Sequence, residues 1–339
     1  MRISSCPCRF VVSLVMLATV GGTVHAQSPS FWQAGSIWTG PASFSGAPSL
    51  SYASPDARVH AAVDLGVIHL RADEKVLVGN YTLSHLIWQS TAPVLGARVD
   101  TEIGSGFSLR AEGRVALWGR SYMEDYDWTM GDDTFSNWSD RSQHPDTRLD
   151  HYFSGTAALG YELAKDATMK VRAHGGFKYT DAQWTAYGGT YLYSRGGGFR
   201  NTPGTIADGL AAVTYRQQFP ELFLGLDGEE IFGDFRVGGL LHGGLTFLAG
   251  TNDQHWLTNN RFHDKLRVAP TLSAGVDIGY AAGDNVELTL AARYDHIFEQ
   301  RGDTEYFNIA TGAPAGGVTD SAGGGLSSAE ITAGLKGSF

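Results

Sequence analysis

The run Val286–Asp295 (VELTLAARYD) alternates apolar residues with polar or small ones. Side chains of an extended strand point alternately to its two faces, so this run predicts a strand with one apolar and one charged face. The same period of two recurs in residues 107–118, 169–179 and 272–280. Abundant Gly (44 residues) and an aromatic content of 12% also favour turn-rich β-structure over helices.

Alternation alone does not decide which face is buried. A soluble β-sandwich buries its apolar face, whereas a membrane barrel turns that face to lipid and keeps the charged face in its lumen. Short connections are predicted near 104–106, 164–166, 233–234 and 283–285, and long polar ones at 121–147, 188–207, 250–262 and 300–325. This alternation of short and long connections is typical of outer-membrane barrels.

The end of the chain supports the same interpretation. Residues 331–339 form an alternating run that closes on Phe339, which resembles the assembly signal of bacterial outer-membrane proteins. We therefore predict an all-β fold, a monomeric ten-stranded antiparallel transmembrane β-barrel over residues 58–339, with the even strand number of single-chain bacterial barrels. A secreted soluble β-protein is the alternative.

The N-terminal segment has the features of export. Residues 1–26 predict a signal peptide, because a basic start with Arg2 and Arg9 precedes a short apolar run and a small-residue cleavage site at Ala26. Both cysteines, Cys6 and Cys8, lie inside it, so the mature chain is predicted to have no thiol chemistry. Residues 27–57, rich in Ser, Pro, Gly and Ala, predict a flexible N-terminal extension.

The charge of the mature chain limits its partners. Without residues 1–26 it has 23 basic and 35 acidic residues, a net charge of −12. This balance argues against a nucleic-acid partner and would favour cationic ligands wherever the acids cluster. No later stretch approaches 18 consecutive apolar residues, so no transmembrane helix is predicted.

Two short clusters carry the candidate chemistry. Asp253 and His255 are two residues apart, so on a strand they share a face, and the carboxylate can orient and polarise the imidazole. Asp125 and Asp127 form a second acidic pair just past another alternating run. A carboxylate–imidazole pair facing two acids is the material for activating a water molecule.

Each cluster has a simpler or different explanation. Asp125, Asp127 and Gly131 imitate part of a calcium loop, but the twelfth position is Ser136 rather than Glu. His255 could bind zinc, but no second histidine stands at zincin spacing. We predict no metal at the site.

Two further motifs need weighing. Ser142, His144 and Asp146 permit a serine-nucleophile hypothesis, although a polar loop that packs against the site is favoured. The tripeptide 301–303 (RGD) resembles an integrin-binding motif and suits an adhesin.

Several further motifs stand in order along the chain. They are Met123–Trp128 (MEDYDW), Trp138–Thr147 (WSDRSQHPDT), Gly188–Ser194 (GGTYLYS), Gly198–Arg200 (GFR), Asn252–His255 (NDQH) and Thr332–Lys336 (TAGLK). Together they resemble the omptin family of outer-membrane proteases, from about residue 60 to the end of the chain.

The resemblance implies a ten-stranded barrel in the bacterial outer membrane, with its active-site groove facing the exterior. It implies catalytic roles for Asp125, Asp127, Asp253 and His255, in which His255 takes a proton from water and no covalent intermediate forms. Ser142 and His144 match supporting positions. The implied substrates are polypeptides, cut after or between basic residues, with no cofactor but with lipopolysaccharide as an activating lipid.

Two departures from the family pattern bear on these expectations. Of the two carboxylates in the family's pocket for a basic side chain, Glu74 matches one, while the other position falls on Thr251. The sequence therefore predicts a weaker preference for basic residues. Asp181 and Gln218 stand where family members bind lipopolysaccharide phosphates through basic residues, which weakens the expectation of a lipid requirement.

The strand alternation sets a condition on the site. Counted from Phe107, the period of two puts Asp125 and Asp127 on the lipid-facing side, so the chain must bulge or leave the strand between Gly119 and Met123.

From the candidate residues and the resemblance together we predict a metal-independent endopeptidase. The alternative is a non-catalytic outer-membrane adhesin or porin-like barrel.

Overall fold

The computed structural model describes residues 58–339, so the predicted signal peptide (1–26) and extension (27–57) lie outside the described residues. Thirteen strands and one 3₁₀ turn, Phe135–Asn137, make up this part of the chain. The strands are β1 Val59–Val78, β2 Tyr81–Gly104, β3 Phe107–Ala116, β4 Arg120–Asp127, β5 Asp140–Lys165, β6 Met169–Tyr193, β7 Thr202–Phe232, β8 Phe235–Thr246, β9 Gly250–His255, β10 Asn260–Leu266, β11 Pro270–Gly283, β12 Val286–Asn308 and β13 Pro314–Ser338. Residues 58–339 include no helix that is long and apolar enough to cross a bilayer.

The strands form one closed antiparallel sheet. Three pairs, β3/β4, β8/β9 and β10/β11, are each a single barrel strand interrupted by three residues, which gives a ring of ten. The ring closes where β1 pairs with β13, with Val63 opposite Leu335. Closure leaves no unpaired sheet edge, which is the condition for a sheet to span lipid. The predicted ten-stranded barrel is therefore confirmed.

The two faces of the sheet have opposite polarity. Leu224 is 75% exposed and Leu290 55% exposed on the outer surface, whereas Glu287, on the opposite face of the strand that carries Leu290, is 6% exposed and faces the lumen. We call the outward apolar zone the belt; it includes Val63, Leu65, Leu95, Leu109, Leu159, Leu222, Leu224, Leu241, Val276, Leu288, Leu290, Ile331 and Leu335. The polarity of the two faces is thus inverted relative to a soluble β-barrel, as predicted for a membrane barrel.

Ion pairs fill the lumen inside the belt. Arg293 contacts Glu112 across 181 residues of sequence, and Lys178 Nζ lies 2.8 Å from Asp295 Oδ1. Above them a buried apolar layer closes the barrel interior; its largest members are Trp88, Trp184, Tyr215 and Phe219. Because charges are satisfied below and aromatic rings are packed above, the interior is not an open channel.

Each of the three strand interruptions shifts the alternation by one residue, and two of them decide where the candidate catalytic residues point. From Leu95 to Thr91 β2 advances four residues, while its partner advances five, from Val115 to Arg120. The extra residue lies in the break 117–119, where Trp118 has φ 48°. This bulge turns Asp125 and Asp127 from the outer to the inner face, slightly before the segment in which the sequence required it.

The second shift lies in the break 247–249. Thr246 pairs with Glu221, and Gly250 pairs with Gln218. The strand β8/β9 therefore advances four residues, from Thr246 to Gly250, while β7 advances three. Leu248 has φ 51° and projects outward. Odd-numbered residues face out in β8 and inward in β9, so Asp253 and His255 also enter the lumen.

The predicted long loops were largely wrong. Most of 121–147, 188–207, 250–262 and 300–325 continues as strand beyond the belt, and the longest gap between strands is 128–139. Polar composition suggested loops because the lipid-facing alternation stops there, but backbone ladder hydrogen bonds do not require apolar side chains. We call this extension the rim; it contains β4, β9, β10 and the matching ends of their neighbours. The predicted short turns are confirmed.

Candidate active site

Asp253 and His255 form an ion pair on the rim strand β9. His255 Nε2 lies 2.6 Å from Asp253 Oδ2, and the Asp253 side chain is 4% exposed while that of His255 is 30% exposed. The ring of Phe262 packs edge-on against the imidazole, with centroids 5.3 Å apart. The buried carboxylate therefore holds the imidazole in place, and the imidazole remains open to the groove.

Asp125 and Asp127 lie on β4, on the opposite wall. β4 pairs with β2 and β5, whereas β9 pairs with β7 and β10, so the two pairs are separated by three barrel strands on one side of the ring and five on the other. Ser84 Oγ lies 3.2 Å from Asp125 Oδ1, to which it donates. The space between these two walls is the groove.

The pKa values show that the two walls act on each other. Burial by itself would lower the pKa of His255, but Asp253, followed by Asp125 and Asp127, raises it to about 9. Burial raises the pKa of Asp127 to about 6. Burial and the charge of Asp127 raise the pKa of Asp125 well above its usual range. A polar molecule in this groove would meet one cationic ring and three carboxyl groups.

Ser142 and His144 lie next to the β4 wall but are closed off. His144 Nδ1 donates to the Gly188 carbonyl at 2.6 Å, so its Nε2 accepts from Ser142 Oγ at 2.9 Å. Both side chains are buried, and burial lowers the pKa of His144. Gly189, at φ 118°, permits this approach, since a Cβ there would lie 2.3 Å from the Gln143 carbonyl.

Asp146, the third member of the serine hypothesis, does not reach His144. Its carboxylate pairs with Arg148 at 3.3 Å on the exposed surface. The geometry therefore assembles a buried Ser–His pair that supports the β4 wall, with a backbone carbonyl where a triad would have a carboxylate.

Glu74 and Thr251 both lie inside the rim beneath the groove. Glu74 accepts from Trp88 Nε1 at 3.2 Å and is buried. Thr251 Oγ1 donates at 2.5 Å to Asp264 Oδ2 on β10. Sequence reasoning missed Asp264. The symmetric hairpin about residues 256–259, which pairs Thr251 with Asp264, is the signal that could have found it.

The predicted lipid-contact positions lie on the outer wall. Asp181 Oδ1 accepts a hydrogen bond from Arg216 Nε at 2.8 Å and lies 3.1 Å from His151 Nε2. Gln218 Nε2 donates to Tyr179 Oη at 2.6 Å. Asp181 therefore neutralises the basic group that lies nearest to it.

The calcium-loop, zinc and RGD interpretations find little support in the structure of residues 58–339. Asp125 and Asp127 belong to a strand rather than a calcium loop. Among residues 58–339 no group of three His, Cys, Asp or Glu side chains could hold a metal ion. The RGD tripeptide lies within β12, where Arg301 pairs with Asp320 and Asp303 accepts from the Asp320 amide.

A cavity of about 560 Å³ lies at the other end of the barrel. Charged side chains line it, but they pair with each other, as Arg110 does with Asp100 and Arg236 with Glu287. It lies away from the groove.

Comparison with known proteins agrees with this architecture. The model of the Omptin family matches residues 56–339. The chain belongs to the omptin family. Outer membrane protease OmpP of Escherichia coli strain K12 is 27% identical over 256 residues, which cover 74% of this chain and 81% of that protein. The plasminogen activator of Yersinia pestis is also 27% identical over 256 residues, covering 75% and 80%.

A solved structure shows the same fold as this omptin. The crystal structure of outer membrane protease OmpT from Escherichia coli matches with a TM-score of 0.78 at 24% identity, covering 85% of this chain and 98% of that one. The omptin resemblance predicted from the motifs is confirmed. Family membership places the protein among the outer-membrane proteases.

Proposed function

We propose that this omptin is an endopeptidase that hydrolyses peptide bonds with a water molecule activated by His255. The observation that carries the proposal is the Asp253–His255 pair, 2.6 Å apart, facing two further carboxyl groups across an open groove. Its substrates are polypeptides, cut after or between basic residues, and its groove faces the cell exterior. Its polypeptide chain acts as a monomer.

The proposed reaction needs no covalent intermediate. Neutral His255, held by Asp253, takes a proton from water, and the hydroxide attacks the scissile carbonyl carbon while Asp125 and Asp127 position that water. The carbonyl π-electron pair moves to oxygen to form a tetrahedral intermediate. Its collapse breaks the C–N bond, and the imidazolium returns its proton to the leaving amine.

The alternative of a non-catalytic barrel has less support. A porin-like channel conflicts with the aromatic layer that fills the interior. An adhesin hypothesis relied on the RGD tripeptide, whose Arg301 and Asp303 are engaged within the sheet. Neither alternative gives a reason for a partly exposed imidazole beside a buried carboxylate.

The first test is cleavage of a peptide library by the refolded protein, with and without lipopolysaccharide. We expect cleavage after Lys or Arg, or between two basic residues. Activity without the lipid would fit the neutralised outer wall around Asp181, whereas strict dependence on lipid would show that other residues bind it. No cleavage under either condition, from protein shown to be folded, would reject the endopeptidase proposal.

The pH profile should follow the ionisation of His255. Its pKa is raised to about 9, so below that pH a growing fraction carries the proton that the base must lack. We expect kcat/KM to rise with pH, about tenfold for each unit, toward a plateau above pH 9. NMR titration of the His255 ring provides an independent measurement, in which Asp253→Asn should lower the pKa. A rise centred near pH 6.5 in the wild type would contradict the assignment.

Replacing Ser142 should have only a small effect. Because His144 lacks a carboxylate partner and both side chains are buried, we expect Ser142→Ala to retain kcat/KM within about tenfold, the effect of one lost hydrogen bond. A serine-directed phosphonate should leave the wild type active, and EDTA should not reduce cleavage. Complete inactivation by the phosphonate with labelling of Ser142 would establish a serine mechanism, and complete inactivation by EDTA a metal one.

A further inference from the structure

Asp264 lies in a row of inward-facing side chains beneath the groove. Thr251 on β9 and Thr304 on β12 flank it and donate to its two oxygens at 2.5 and 2.7 Å. Gln217 on β7 continues the row, opposite Thr251. The Asp264 carboxylate is thus buried, fixed in orientation, and bonded by neutral hydroxyl groups on both sides.

Asp264 and Glu74 have no cationic partner. Among the ion pairs of residues 58–339, none includes Asp264 or Glu74, although most lumen carboxylates are paired with Arg or Lys. Burial raises the pKa of Asp264 and, with the charge of Asp253, raises that of Glu74. A buried carboxylate without a counter-charge costs free energy that an incoming cation recovers.

A second observation points to a missing hydrogen-bond donor. Gln217 Oε1 and Asp253 Oδ1 are buried acceptors without a partner, and Gln217 is fully buried. Fully buried acceptors are normally bonded. The Gln217 amide is held by Tyr215 Oη at 2.9 Å through its nitrogen, which leaves the oxygen free.

These side chains lie close together. A Cβ placed on Gly324 would lie 3.0 Å from Leu266 Cδ1 and 3.6 Å from both Gln217 Nε2 and Thr251 Cγ2. Gly324 is the cross-strand neighbour of Glu74. The side chains of Leu266, Gln217 and Thr251 thus converge on the backbone beside Glu74.

We propose that Asp264 is the second carboxylate of the substrate pocket and, together with Glu74, selects a lysine or arginine side chain next to the scissile bond. This inference rests on the proposed endopeptidase function. Thr251 is then a positioning residue that orients Asp264 rather than a lost charge. The preference for basic residues should accordingly remain strong, in contrast to the expectation from Thr251 alone.

The test compares two peptides that differ only in arginine or citrulline before the cut, since citrulline keeps the shape and removes the charge. In Asp264→Asn we expect the ratio of kcat/KM for arginine over citrulline to fall by about 10- to 100-fold, the range for a hydrogen bond to a charged group. The exchange variant Thr251→Asp/Asp264→Thr returns the carboxylate to the neighbouring strand and should recover most of the ratio.

Controls separate local from general charge effects. Asp146→Asn removes one exposed rim charge that pairs only with Arg148, and it should leave the ratio unchanged. Circular dichroism establishes that each variant is folded. If Asp264→Asn does not fold, the exchange variant decides the question: a ratio at the wild-type level supports a pocket carboxylate, and a ratio near one overturns it.

A binding measurement distinguishes this proposal from the proposed function. In the His255→Ala background, calorimetry with both peptides should show tighter binding of the arginine peptide, and Asp264→Asn should remove that difference. Discrimination through Asp264 in a wild type that cleaves neither peptide would support the pocket and reject the protease. Normal cleavage with the ratio and binding difference unchanged in Asp264→Asn would overturn the pocket alone.

Discussion

Replacing Asp253 with Asn or His255 with Ala is expected to lower kcat/KM for peptide cleavage by about 10²–10⁴-fold, the usual contribution of a positioned general base. His255→Ala removes the group that takes the proton. Asp253→Asn removes the charge that orients the imidazole at 2.6 Å and stabilises its protonated form. Initial rates of a fluorogenic peptide at several pH values measure the loss.

The protein offers a matched control pair for this experiment. His85 Nε2 lies 2.8 Å from Asp73 Oδ1 on the outer wall of the rim, so it repeats the carboxylate–imidazole contact outside the groove. Asp73→Asn and His85→Ala make the same two substitutions outside the groove and should retain cleavage. If Asp253→Asn and His255→Ala retained full activity as folded barrels, the general-base mechanism would be wrong.

Neutralising the opposite wall should have the next largest effect. We expect Asp125→Asn and Asp127→Asn each to reduce kcat/KM by about 10²–10³-fold, comparable to losing one preorganised electrostatic group. Both carboxyl groups help to raise the pKa of His255, so the rise of the pH profile should also move to lower pH in each variant. This shift distinguishes a direct electrostatic role from simple damage to the groove.

Glu124 provides the comparison for that wall. It lies between the two aspartates on β4 but points away from the groove and pairs with Arg141. Glu124→Gln should therefore preserve both the rate and the position of the pH profile. An unchanged pH profile in Asp125→Asn and Asp127→Asn, at wild-type rates, would show that these residues do not face His255.

Much of the fold followed from local alternation. Leu288 and Leu290 alternate with lumen-facing Glu287, and this pattern predicted the strands and their inverted polarity. The extent of the rim did not follow, because the period-two signal reflects contact with lipid and ends where lipid ends. The sequence showed that Asp253 and His255 share a face, but the bulge at Leu248 decides which face.

The proposed substrate pocket was less predictable than the two proposed catalytic pairs. Glu74 and Thr251 were found from motif positions, each within one strand. The environment of Asp264 includes hydroxyl groups from β9 and β12. Its proposed role in the pocket also requires Glu74, which lies on β1. Such a cluster needs the pairing register of several strands, which no local window of sequence contains.

The one-residue insertions at 117–119 and 247–249 have a consequence for how this barrel can change. On the membrane side of these insertions, each side chain's orientation is set by lipid and by the lumen ion pairs. On the rim side, the alternation of inward and outward side chains is offset by one residue. Substitutions in the membrane section therefore need not alter which residues the groove presents, and the reverse also holds. The rim, with the proposed active site, can be regarded as a transferable module, compatible with a ten-stranded support that keeps the same offsets.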